Sequence, residues 1–120
     1  MKLVSFEVHT PVGVFRRIGA MRAGSIVDLN MAYARLLAEE RESRPRRLAD
    51  AQVPATMLEF LQGGASAMDA ARRAFDSVTL EDTSLTGPAG ETIIYNAADV
   101  HLIAPLPNPA SLRDFIAFED

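Results

Sequence analysis

The sequence predicts an α+β domain with a small mixed or mainly antiparallel sheet covered by about three helices. Three observations carry that expectation: apolar residues alternate near both ends, they recur at spacings of three and four in the middle, and Gly and Pro punctuate the joints. With 120 residues and 48% hydrophobic composition, the chain has enough apolar material for one core. Charged residues make up 23% and mean hydropathy is +0.06, too apolar for a disordered tail.

In chain order, Val4, Phe6 and Val8 alternate with Ser5 and Glu7, predicting a strand near 2–9 that Pro11 and Gly13 break. Strands near 14–21 and 25–29 follow across the Ala23-Gly24 turn, and two linked antiparallel hairpins are the simplest arrangement. Leu29, Tyr33, Leu36 and Leu37 share one helical stripe, giving a helix over 31–42 with either Asp28 or Asn30 as its cap. Arg44-Pro45 interrupts that helix. Pro54 opens a second one over 54–62, and Gly63-Gly64 stops it. Met68, Ala71, Phe75 and Val78 define the buried face of a third helix over 65–78. Beyond it, 79–83 reads as a possible strand, Gly87 to Gly90 as a turn, and 92–95 and 100–103 as two further strands. Pro105, Pro107 and Pro109 stiffen an extended connector, so the expected boundary separates a domain at 1–104 from a connector and following segment at 105–120.

Composition narrows the functional classes. A net charge of −4 argues against a nucleic-acid partner, which would call for a basic excess. The absence of cysteine removes disulfides, thiolate nucleophiles and cysteine-ligated zinc, and suits a cytoplasmic location. The amino terminus has no apolar run of the kind a signal peptide or membrane span needs, so no membrane association is expected.

Candidate chemistry is sparse before residue 105. His9 and His101 lack a second metal-type ligand at helical spacing, and neither is assigned a function. The four arginines between Arg41 and Arg47 lie beside Glu39, Glu40 and Glu42, which reads as a solvated helix end. Glu40 and Glu42 diverge by about 200° on a helix, so they are read as structural and not as a cation-binding pair. The stretch from Pro105 to Asp120 is different: Arg113, Asp114, Glu119 and Asp120 stand among Phe115, Ile116 and Phe118 directly after a stiff connector, a mixture suited to an active-site wall.

Those residues carry a resemblance. Val100-His101-Leu102-Ile103-Ala104 followed by Pro105-Leu106-Pro107 and by Arg113-Asp114-Phe115 resembles the interdomain stretch of the fumarylacetoacetate hydrolase family. The opening Lys2 to Phe6 strand and the Gly24 to Asn30 element also look like the amino-terminal domain that bacterial members carry ahead of the catalytic domain, while 38–90 matches only in its helix-rich character.

The resemblance implies that Asp114 is a carboxylate ligand of Mg²⁺ or Ca²⁺ in the full-length parent. On the residues alone, Asp114 could equally cap a short helix through Phe118. It also implies a general-base histidine seven residues after that Asp, at position 121, one beyond Asp120, and further metal ligands in a catalytic domain. The expectation is therefore a non-catalytic accessory domain whose parent performs metal-dependent hydrolysis of a carbon–carbon bond in dicarbonyl acids, or decarboxylation or isomerisation of oxo acids. The chain alone is expected to be inactive and to bind no metal tightly. Its expected partner is the catalytic domain, with homo-oligomerisation possible. The alternative is a free-standing protein-binding or dimerisation module anchored by Phe115, Ile116 and Phe118.

Overall fold

The computed structural model describes residues 2–78 and 85–103. They form the expected α+β fold. β1 (Lys2–Thr10), β2 (Gly13–Arg22) and β3 (Ser25–Asp28) run as an antiparallel meander, and four helices follow: α1 (Leu29–Glu39), α2 (Pro45–Gln52), α3 (Met57–Gln62) and α4 (Gly64–Asp76). The chain then returns to the sheet with β4 (Ile94–Asn96), a 3-10 turn over Ala97–Asp99, and β5 (His101–Ile103). Among the described residues the strand order is β4-β3-β2-β1-β5, and every neighbouring pair is antiparallel.

Alternation sorts the sheet into two faces. Leu3, Ile18, Ala20 and Val27 belong to one face and meet the helices in the main core. Buried Ala67, Ala70, Ala71 and Ala74 give α4 a nearly bare inner face, so α1 can lie close against it and bring Ala34 and Leu37 into the same cluster. At the far end of α4, Arg22 from β2 stacks 3.8 Å from the Phe75 ring centre and donates to the carbonyls of Val78 (2.8 Å) and Phe75 (3.2 Å). A guanidinium placed there satisfies helix-end acceptors and complements the helix dipole.

The opposite face is concave. β4 and β5 are the two edges of the sheet, yet only the four residues 97–100 lie between them. Five steps of chain from Asn96 to His101 reach at most about 18 Å. In a flat sheet, the edge-to-edge separation and the offset along the strands would put those ends roughly 28 Å apart. The sheet must curl, and it does: the rings of Phe6 on β1 and Tyr95 on β4, three strand spacings apart, approach to 5.4 Å between centroids. The Phe6 ring also lies against Gly19 on β2. A Cβ on Gly19 would stand 2.6 Å from Ile26 Cγ2, 2.8 Å from the Val27 carbonyl and 2.9 Å from Phe6 Cε1. Phe6 and Ile26 are completely buried in that trough.

Several boundaries differ from the sequence expectation. α1 begins at Leu29, two residues early, because Asp28 is the cap; it stops at Glu39, where Glu40 closes the helix and Arg41 turns to φ 65°. α2 is a helix that the pattern does not announce. Arg44-Pro45 reads as an interruption, but Pro45 occupies the first helical turn, where its missing N–H costs nothing, and Ala49 is the sole buried residue of the helix. α3 starts at Met57 and not at Pro54, which lies in the link after α2. α4 runs from Gly64 to Asp76, short of the expected 78. Gly63 and Gly64 do mark the joint, Gly63 capping α3 and Gly64 taking φ +62°. The strand expected at 92–95 is displaced to Ile94–Asn96, with Thr92 in an isolated bridge to Thr86. The possible strand at 79–83 and the connector from 105 lie outside the described residues.

Gly19→Ala tests the curl. Two of the three close neighbours, the Val27 carbonyl and the packed Ile26 side chain, belong to the adjacent strand and cannot swing away. A destabilisation of about 1–3 kcal/mol is expected in urea unfolding. Unchanged stability would mean that the trough tolerates a methyl group.

Candidate functional site

The most constrained polar cluster lies where β3 passes into α1. Asp28 ends β3 opposite Gly19, and Arg17, two residues along β2, projects from the same face. Its guanidinium engages the carboxylate with two hydrogen bonds, Nε to Oδ2 at 2.8 Å and Nη2 to Oδ1 at 3.1 Å. Arg17 Nη2 also donates to Asn30 Oδ1 at 2.8 Å. Asn30 passes the connection onward: its Nδ2 donates to Asp50 Oδ1 on α2 (3.0 Å) and to the Val53 carbonyl that follows α2 (2.8 Å). Asp28 Oδ1 accepts from the Met31 backbone at 3.1 Å and so caps α1, while the Asp28 N–H donates to the Ile93 carbonyl at 2.8 Å.

Asp28 is 1% exposed, and burial pushes its pKa upward; the Arg17 hydrogen bonds, the Arg17 charge and the backbone N–H groups of Met31 and Asn30 oppose that rise. Burial would lower the Arg17 pKa, but the bonds and charge of Asp28 overcome it and leave it raised. Tyr95 is raised as well, first by its own burial and then by the negative Asp28. With Arg17 and Met31 taking up both carboxylate oxygens, this cluster joins sheet, α1 and α2 and offers no open metal position.

Strand pairing places both histidines beside Glu7. His101 on β5 stands directly opposite Glu7 on β1, and His9 Nε2 lies 4.0 Å from Glu7 Oε1. Sequence spacing hides this proximity because strand pairing, not a helix turn, creates it. Arg16 Nε also approaches Glu7 Oε2 at 3.7 Å, bringing a positive charge to the carboxylate that a cation would need. Among the described residues, no group of three or more His, Asp or Glu side chains could hold a metal ion. Asp114, the residue the resemblance implies as a metal ligand, lies outside the described residues, as do Phe115, Ile116 and Phe118.

The acidic and basic run after α1 resolves into contacts between elements. Glu40 accepts from Arg73 on α4 at 2.7 Å. Arg46 of α2 lies 3.3 Å from Glu91 in the link before β4, whose other carboxylate oxygen accepts from the Ala89 backbone at 2.8 Å. No described helix is long and apolar enough to cross a membrane. Exposed apolar side chains gather instead on the β1–β2 hairpin, at Val12, Val14 and Phe15, with Leu102 on β5 and Leu58 on α3 standing apart from the turn.

Comparison with protein-family models, with curated proteins and with solved structures gives no match in any of the three.

Arg17→Met should cost about 3–5 kcal/mol near neutral pH, because it leaves Asp28 buried and charged without its partner. The deficit should narrow on acidification. In the variant the folded-state pKa of Asp28 rises further above the ordinary value of about 3.9, so across that window the folded chain holds more protons than the unfolded one. Stability relative to the native sequence is therefore regained as pH falls from 7 towards about 4, measured by urea unfolding at each pH. A deficit independent of pH would show that Asp28 is already neutral beside Arg17.

Proposed function

We propose that this chain is a non-catalytic amino-terminal domain of a fumarylacetoacetate hydrolase family enzyme, with the role of packing against a catalytic domain and framing one side of its active site. The observation that carries the reading is the run from Val100 to Phe115, where a strand, a Pro-rich connector and Arg113-Asp114-Phe115 follow in the family's order. The fold is compatible with it: β5 (His101–Ile103) is the last described element, and the connector follows it in the sequence. The parent would polarise a dicarbonyl or oxo acid on Mg²⁺ or Ca²⁺ while a histidine acts as general base. Asp114 would supply one oxygen ligand, and hard cations of this kind need several.

Within this reading the described residues supply rigidity and not chemistry. The Arg17–Asp28–Asn30 network fixes β3, α1 and α2 relative to one another, and β5 is bonded along β1 at Ser5–Glu7, which anchors the start of the connector. A domain with that role needs no cofactor of its own and works in the compartment of its parent, for which the cysteine-free composition favours the cytoplasm.

Two measurements test the proposal. A reading frame that continues past Asp120 with a histidine and a downstream Glu-x-Glu supports it, whereas a stop codon directly after Asp120 overturns it. In the longer polypeptide, Asp114→Ala should weaken Mg²⁺ binding at least about tenfold, since even partners outside the coordination shell alter metal affinity by that much. The 120-residue chain with Mg²⁺ should leave an acylpyruvate unhydrolysed; turnover near that of the longer polypeptide would defeat the accessory role.

A further inference from the structure

α2 is the helix least held by apolar contact. Of Pro45–Gln52 only Ala49 is buried, with Leu48 half-buried, whereas α1 and α4 each give several residues to the core. Its other ties are polar and end on exposed residues of the helix. Asp50 Oδ1 accepts from Asn30 Nδ2 at 3.0 Å, Gln52 Oε1 accepts from the Tyr33 hydroxyl, and Arg46 lies 3.3 Å from Glu91. Bonds of this kind net little each, and an exposed ion pair nets least. Eight residues are also too few for a helix to stand alone in water, and no side-chain bond caps the amino end of α2. The two flanks differ. On one side Arg41 to Arg44 are all exposed and Arg41 sits at φ 65°. On the other, Val53 is fully buried and its carbonyl accepts from Asn30 Nδ2 at 2.8 Å.

We propose that α2 is a lid: Arg44 to Gln52 detaches and unwinds as one unit about a hinge held at Val53, while the sheet, α1 and α4 stay folded. What the lid covers is polar. Asn30 and Tyr33 of α1 are only 3% and 4% exposed, and both give donors to α2. With the helix away, the Tyr33 hydroxyl has lost its acceptor and Asn30 Nδ2 keeps only the Val53 carbonyl. Water then gains access to Asn30, whose Oδ1 is bound to Arg17. Donors left open beside apolar side chains favour reclosure, so the open state is a minor one. Val53 makes the motion a hinge and not a general unfolding, because its side chain stays in the main core. The two Arg17–Asp28 bonds involve no atom of α2, so the joint between sheet and α1 survives the opening. The lid uses only described elements and stands whether or not the chain has a catalytic partner.

Native-state hydrogen exchange in low urea reads the lid directly. The Leu48 N–H is bonded to the Arg44 carbonyl and the Val53 N–H to the Ala49 carbonyl, so one opening frees both. The two amides should share one opening equilibrium, at least about a hundredfold larger than that of the α1 amides from Ala34 to Leu37. Their exchange should also depend less on urea, because unwinding one short helix exposes little surface. Gln52→Ala should raise the opening at both amides about tenfold, since it takes away the acceptor of Tyr33. Arg47→Ala, an exposed position of the same helix, should leave it unchanged. Leu48 and Val53 exchanging with the equilibrium and urea slope of α1 overturn the proposal. So do two amides that open independently, the mark of fraying from an end, or a Gln52→Ala variant whose α2 amides open no more often. Circular dichroism establishes that each variant is folded, and exchange in the unaltered chain decides the question without any variant.

Discussion

The buried Asp28 carboxylate has to meet three demands at one point. It ends β3, caps α1 through the Met31 N–H, and balances the Arg17 charge, all while almost fully removed from water. Each oxygen is occupied, which is the condition under which a buried charge is tolerable. The bidentate geometry also fixes direction: the guanidinium plane sets how β2 faces the start of α1, and its third bond reaches Asn30. From Asn30 the same chain of bonds grips α2, whose own apolar contact comes from buried Ala49 and half-buried Leu48. A helix with so little buried surface is held chiefly by polar bonds to its neighbours, and loosening the Arg17 pair would loosen α2 with it.

Curl and ion pair support each other. Gly19 lies opposite Asp28 in the ladder, and its missing side chain lets Phe6, Ile26 and Tyr95 fold over the trough beside the charged pair. That apolar cover keeps water from the pair and strengthens its attraction, although it also raises the cost of ionising Asp28. A flat sheet would leave the same pair wet and would not bring β4 and β5 within reach of a four-residue link.

What could be read beforehand follows the same physics. β1 is legible because Val4, Phe6 and Val8 alternate with Ser5 and Glu7 and so share one face of the strand. α1 and α4 are legible as helices from their apolar spacing, but not in full: α1 buries its whole first stretch from Leu29 to Ala34, and α4 buries Ala67, Ala70, Ala71 and Ala74 while the expected Met68 and Phe75 are only half-buried. α2 is not, since a helix with one buried residue has no stripe to find, and Pro45 signals a break as readily as a first turn. β4 and β5, three residues each, are too short for alternation to place their ends, and their positions at opposite edges depend on pairing over long sequence separations. Asp28 is visible in the sequence as a helix cap, but its bond to Arg17 is not: the two stand eleven residues apart and meet only because the Ala23-Gly24 turn returns β3 along β2. His101 illustrates the same limit, since register alone sets it opposite Glu7, beside which His9 lies two residues along β1.

The contrast between the two arginines of β2 ties the hairpin to the rest of the fold. Arg17 and Arg16 are adjacent in sequence but point to opposite faces, so one is drawn into the trough and the other reaches only the surface carboxylate of Glu7. The first arrangement consumes the charge that would otherwise protect the β2 edge from pairing. Arg16, paired at the surface with Glu7, is left as the one charged side chain on the exposed part of the strand, beside Val14 and Phe15. The internal demand for a partner to Asp28 thus strips this edge of half its protection, and the open strand is a consequence of how the interior is balanced.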